Sequence, residues 1–198
     1  MSRKYKFHNP TAAYFVSFAT VYWIDIFTRQ EYFNILLESI DHCRKEKGME
    51  LYDYCFMPNH VHLIFRDSNE DPMNLLRNFK KHTAKKTLKA IQENATESRK
   101  KWLLWMFKKA GKQKGNISKY QFWQHNNKPI ELWSTAVIKQ KIEYIHNNPV
   151  LSGFVTNAID WKYSSAKNFA DDHTILKIDD IGFLQLKLTG TALVANER

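Results

Sequence analysis

Two apolar runs on either side of Met57-Pro58-Asn59 constrain this chain more than any other feature. Residues 50–57 and His60 to Arg66 are rich in β-branched and aromatic side chains, and Pro58-Asn59 is a turn signal, so the spacing predicts an antiparallel hairpin. Side chains alternate along a strand. Val61, Leu63 and Phe65 therefore point one way, and His60 and His62 point the other. The apolar three require a core beneath them. The two imidazoles are then expected side by side on the opposite face.

The remaining elements suit such a hairpin. Residues 13–22 read as a strand. Thr28 and Glu31 have the spacing of a capping box. After them Tyr32, Phe33, Leu36, Leu37, Ile40 and Cys43 recur at helical period, with Gly48 as a stop. Asp71-Pro72 predicts the start of a helix running to about Gln92, with Leu76, Phe79, Thr83 and Ile91 inward. Residues 93–118 read as an insertion: a short basic helix from Arg99 to Lys109, then a flexible loop over Gly111 to Gly115. Residues 119–124 and 128–133 each suggest a short strand. Ser134 is placed to cap a last helix through Tyr144 to about Asn147, with Pro149 ending it. The order is β-α-β-β-α-β-α. It predicts an α+β fold, a mainly antiparallel sheet with two helices on one face and the other face free for a ligand. At 198 residues the chain is one domain, here 1–166, with a tail over 167–198.

Charge narrows the function. Lys and Arg number 30 against 20 Asp and Glu, a net charge of +10. Residues 80–119 hold thirteen basic residues and only Glu93 and Glu97 as acids, so that stretch alone carries +11. Such clustering is either the footprint of a polyanion partner, most often nucleic acid, or a solvated helical face kept basic for solubility. Lys80, Lys81, Lys85, Lys86 and Lys89 are spaced to track a phosphate backbone. Trp102, Trp105 and Phe107 either stack on unpaired bases or pack their helix on the body. No apolar stretch reaches the roughly 18–20 residues of a membrane span, and no signal peptide is expected. Cys43 and Cys55 cannot build a disulfide framework or a four-cysteine zinc site, which suits reduced thiols in the cytoplasm.

Two local patterns carry possible chemistry. His60 and His62 can share a metal, or they are ordinary surface histidines. An oxygen ligand from another element would suit a hard ion such as Mg²⁺ or Mn²⁺. In the last helix Ile138, Ile142 and Ile145 form an apolar stripe, while Lys141, Tyr144 and Asn148 lie on a polar one. Spacing alone also allows Tyr144 to be an amphipathic residue at a core margin and Asn147-Asn148-Pro149 to be a helix stop.

Together these residues resemble a family. Tyr54 to Ile64 resembles the histidine–hydrophobic–histidine strand of the HUH single-tyrosine transposases. Glu143 to Val155 is similar to the catalytic-tyrosine helix of their REP-associated branch, and Trp161 to Ala166 to the short motif that follows it. Order and spacing agree from about Phe15 to Ala166. The resemblance implies that His60 and His62 are metal ligands, Tyr144 is the nucleophile, and Asn148 is a third, amide ligand. It also implies Mg²⁺ or Mn²⁺, cleavage of single-stranded DNA near hairpins, a 5′-phosphotyrosine intermediate and a ferredoxin-like HUH nuclease sheet. The expected setting is the cytoplasm, at the nucleoid of a prokaryotic cell, as a monomer or homodimer. The insertion over 93–118 is longer than in compact members, and Gln121 to Ile130 matches the REP-associated pattern only loosely. Two rival readings use the same residues: a non-catalytic nucleic-acid-binding domain, and a zinc hydrolase that forms no protein adduct.

Overall fold

Strand alternation divides the core into two layers, one on each side of a sheet. The strands are β1 (Tyr14–Ala19), β2 (Met49–Phe56), β3 (His60–Asp67) and a two-residue β4 (Ile130–Glu131). They pair antiparallel in the order β2-β3-β1-β4. The computed structural model describes residues 6–113, 119–170 and 174–180. Among them no helix is long and apolar enough to cross a membrane.

Tyr14, Val16 and Phe18 of β1 and Val61, Leu63 and Phe65 of β3 face α1 (Gln30–Glu46) and α2 (Pro72–Glu93). Both helices bury the stripes expected of them, including Leu36, Ile40, Leu76, Phe79 and Ile91. Asp71 caps α2 by accepting the Asn74 N–H, and Pro72 occupies its first turn. The expected antiparallel sheet with two helices on one face is therefore present.

The opposite face is not bare. α4 (Thr135–Leu151) lies on it and packs Ile138, Ile142 and Ile145 against Phe15, Tyr52, Cys55 and Ile64. The expectation that Pro149 ends this helix near Asn147 is corrected: α4 continues to Leu151 with Pro149 inside it. Pro149 is buried and extends the same apolar stripe, so packing holds a helical path that the missing N–H would weaken. The helix ends instead at Leu151, capped by Ser152, and Gly153 just beyond, with a φ of +74°, supplies the left-handed turn. Asn148 thus stays helical, one turn beyond Tyr144.

Other local expectations also change. Thr28 and Glu31 form no capping box. Arg29 occupies the cap position of α1 without a side-chain bond. Thr28 Oγ1 instead accepts from Arg99, and Glu31 accepts from Asn94. Both tie the 94–99 connection to α1. Buried Glu97 completes that tie by accepting from Arg29 Nε at 3.0 Å and the Tyr32 hydroxyl at 3.2 Å. The basic helix α3 (Lys100–Lys112) is therefore integrated, with Leu103 and Phe107 in the core. The strands expected at 119–124 and 128–133 shrink to one bridge, Trp123 to Thr20, and to β4.

Residues 161–166 line the free edge of β2. The Trp161 indole donates to the Phe56 carbonyl at 3.0 Å, and the Phe56 N–H donates to the Tyr163 carbonyl at 2.8 Å. A covered edge cannot recruit another strand. The start of the tail joins the same edge, where Asp179 pairs with Arg44 and accepts the Leu51 N–H at 2.7 Å.

Candidate active site

β3 supplies two imidazoles, and α4 brings a phenol and an amide to them. The His60 and His62 ring centres are 4.7 Å apart. The Tyr144 ring stands edge-on to His62 at 5.2 Å and to Phe15 at 5.9 Å. Asn148 Oδ1 lies 3.1 Å from His60 Nε2. Lys141 Nζ sits 5.3 Å from the centre of the Phe15 ring and 6.0 Å from that of Tyr144. The polar stripe Lys141, Tyr144 and Asn148 therefore meets the histidine pair. Tyr144 remains 44% exposed, so its hydroxyl is open to a substrate.

The protonation states follow from burial. His62 is 1% exposed, and burial, aided by neighbouring His60, lowers its pKa to about 3. Burial lowers His60 too, against an opposing effect from Asn148 and Asp25. Both rings are neutral near pH 7, as metal ligands must be. Neither His62 nitrogen finds a hydrogen-bond partner among the described residues. A neutral imidazole buried without partners is costly, and a cation would take its lone pair.

His60 leads to the same conclusion. Asn59 Nδ2 donates to Asp25 Oδ1 at 2.7 Å, which fixes Asn59 Oδ1 as an acceptor. His60 Nδ1, 2.6 Å from that oxygen, must carry the proton. His60 Nε2 then presents a lone pair toward the Asn148 amide, whose Oδ1 lies 3.1 Å away. His60 Nε2 and the Asn148 amide oxygen could both ligate a divalent cation, and Asn59 would orient His60 from behind. No cluster of three His, Cys, Asp or Glu occurs among the described residues. The donor set here is two imidazoles and an amide, able together to hold a divalent ion. Cys55 lies across from His62 in the sheet, but burial pushes its thiol pKa up and it stays neutral.

A second set of residues holds α4 in place. β2 carries a bulge between Leu51 and Asp53, and the register places Asp53 beside Ile64, on the α4 face. Fully buried Asp53 accepts from His146 Nε2 at 3.1 Å and from the Ser165 hydroxyl. His146 lies two residues after Tyr144, so this bond helps set the helix that carries the phenol. Sequence patterns revealed neither Asp53 nor Asn59. The one available signal was an acid amid an apolar strand.

The basic residues divide. Lys80 is corrected from the proposed DNA-tracking set. Its ammonium donates to the Gln124 carbonyl at 2.9 Å and to Asn127 Oδ1, and lies 4.9 Å from the centre of the Phe18 ring. Burial lowers its pKa to about 7. Lys81, Lys85, Lys86 and Lys89 are exposed on α2, on the sheet face opposite His60. Lys81 and Lys85 border a groove of about 520 Å³ between α1 and α2, and the structure does not bring them to the imidazoles. On α3, Trp102 and Trp105 are exposed, whereas Phe107 is core and stacks on Phe122 at 4.8 Å.

The antiparallel sheet thus presents paired histidines to a helix-borne tyrosine. The model of the IS200-like transposase family matches residues 11–120, more than half of the chain, and the chain belongs to that family. It is a transposase, an enzyme of DNA transposition. The family match ends before α4. The fold is similar over its whole length to a REP-associated tyrosine transposase solved bound to a REP hairpin. That likeness has a TM-score of 0.62 and 17% identity, and covers 100% of this chain and 98% of the other. A putative transposase from Deinococcus radiodurans aligns at 18% identity over 74% of this chain and 97% of its own, with a TM-score of 0.42. Fold likeness rests on the first of these alone. No curated protein matches the chain.

Proposed function

We propose that this transposase cuts and rejoins single-stranded DNA beside hairpins, with Tyr144 as nucleophile. One observation carries the proposal: the Tyr144 ring packs at 5.2 Å on His62, while Asn148, one turn on, meets His60 at 3.1 Å. A Mg²⁺ or Mn²⁺ ion held by His60, His62 and Asn148 would polarise the scissile phosphate and offset charge in the transition state. Tyr144 Oη attacks phosphorus, the bond from phosphorus to the 3′ oxygen breaks, and the phenol proton is lost as the departing oxygen becomes a 3′-OH. The product is a 5′-phosphotyrosine, and a 3′-OH of another strand reverses the step without ATP. Lys141, between Phe15 and Tyr144, places a positive charge where phenolate and phosphate charge develops.

The hairpin is carried over from the relative bound to one. The exposed lysines of α2 and α3 would hold the sugar-phosphate backbone without reading sequence. We place the enzyme at the nucleoid of a prokaryotic cell, as a monomer or homodimer. The test is incubation with labelled single strands carrying hairpins. A covalent protein–DNA band that needs Mg²⁺ or Mn²⁺ is expected. Product release without a band, or activity restored by zinc alone, would contradict the proposal.

A further inference from the structure

Tyr22 and Trp23 lie three and four residues past the end of β1, and both hold positive φ, 57° and 54°. Left-handed backbone is unfavourable for any residue with a Cβ, and two successive aromatic residues there need strong external support. The neighbouring hairpin turn supplies it. The Thr20 N–H donates to the Asn59 carbonyl and the Phe27 N–H to the Pro58 carbonyl, each at 2.8 Å. Thr20 Oγ1 donates to the Ile24 carbonyl at 2.9 Å. The strained turn is thus fixed to the residues just before His60. The strain does not serve the core, because Tyr22 and Trp23 are 44% and 58% exposed. Strain of this kind, held by its surroundings, marks sites where a side chain is aimed.

Here it aims an indole. The Trp23 ring stands edge-to-face with His60, 5.7 Å between centres. Positive charge lies close by. The Tyr22 hydroxyl donates to Gln113 Oε1 at 2.8 Å, beside Lys109 and Lys112 at the end of α3. Arg99 donates to the Asp25 carbonyl at 2.8 Å. The one carboxylate in the turn, Asp25, accepts from Asn59.

The geometry points to Trp23 as a stacking platform for an unpaired nucleobase next to the phosphate held at His60 and His62. This rests on the DNA-cleaving reading and adds the group that positions the strand. A base laid on the indole would hold its own phosphate at the imidazoles and keep the backbone in register with Tyr144. Every base has a π face, so the platform sets position and not sequence. With Trp23 58% exposed, much of the indole remains open for this.

The test measures affinity by fluorescence anisotropy for a DNA hairpin with a single-stranded tail. The background is Tyr144→Phe, so cleavage does not interfere. Trp23→Ala should bind about tenfold more weakly, and Trp23→Phe should recover most of the loss. Tails carrying one abasic position each are then compared. At one position the missing base should weaken the Trp23 protein by a similar factor and leave Trp23→Ala unchanged. If every abasic position weakens both proteins equally, or Trp23→Ala binds like its parent, the platform is overturned. Should Trp23→Ala fail to fold, Trp23→Leu keeps apolar bulk without a π face and must show the same loss of coupling. The covalent adduct is scored separately, in protein that retains Tyr144. An adduct with uncoupled abasic effects keeps the cleavage reading and removes the platform. Coupled effects without an adduct do the reverse. A parent protein with no affinity for such DNA overturns both.

Discussion

Replacing His146 by Ala should loosen the helix that bears Tyr144 without touching the reacting atoms. His146 Nε2 donates to Asp53, whose carboxylate is 0% exposed, and the second Asp53 oxygen has no hydrogen-bond partner among the described residues. Removing His146 leaves Ser165 as the remaining side-chain donor to that carboxylate. A hydrogen bond to a charged group contributes about 1.5–3 kcal/mol, so a loss of about 2 kcal/mol is expected. With a urea m-value of about 2 kcal/mol/M the unfolding midpoint should fall by about 1 M. For a chain of this size Tm should drop by roughly 4–8 °C. His146→Gln can still donate to Asp53 and should recover much of the loss. The assay is urea unfolding followed by circular dichroism, with cleavage rates measured on the same samples well below the midpoint. Tyr144→Phe should leave the midpoint unchanged and abolish cleavage. His146→Ala should lower both stability and rate. A His146→Ala midpoint within about 0.2 M of the parent would refute the claim that this bond anchors α4, since 0.2 M is only about 0.4 kcal/mol.

Chelation should abolish cleavage, and Mg²⁺ or Mn²⁺ should restore it; Asn59→Ala, which unties the far side of His60, should raise the metal concentration needed by about 10–100-fold. Acid should destabilise the metal-free fold. The unfolded chain protonates His62 near pH 6.5 while the fold resists until about 3, so stability is full above about 6.5 and falls as pH drops through that window. The slope should reach about 1.4 kcal/mol per pH unit, and His62→Gln should flatten it in urea titrations at pH 7 and pH 5. Neutralising Lys81, Lys85, Lys86 and Lys89 should weaken binding to all DNA sequences alike and reduce the slope of log K against log salt by about 0.7–0.9 per lost phosphate contact. Lys80→Met should leave that slope unchanged and alter only stability, because the Lys80 ammonium is bonded to Gln124 and Asn127.

Strand alternation made the hairpin legible. The period-two pattern around His60 and His62 left their direction no freedom once Val61, Leu63 and Phe65 were buried. The stripe of Ile138, Ile142 and Ile145 likewise settled which side of α4 carries Tyr144. Long-range pairing stayed hidden. Lys80 belongs by composition to a basic run, and only folding brings Gln124 and Asn127 to its ammonium. Pro149 looked like a helix end because local chemistry says so, and buried packing against the sheet overrides it. Glu97 carried no periodic signal, yet it joins Arg29, Tyr32 and Arg99 in one cluster. Asp53 reaches His146 through a bulge that no pattern marked.

Mass spectrometry of the trapped protein–DNA complex tests the central claim most directly. The protein is incubated with a single-stranded hairpin substrate and Mn²⁺, denatured, digested with nuclease and protease, and the peptides are sequenced. A nucleotide linked through its 5′ phosphate should map to Tyr144, and the Tyr144→Phe protein should give none. A linkage on any other residue, or an undiminished adduct in Tyr144→Phe, would contradict the role given to α4.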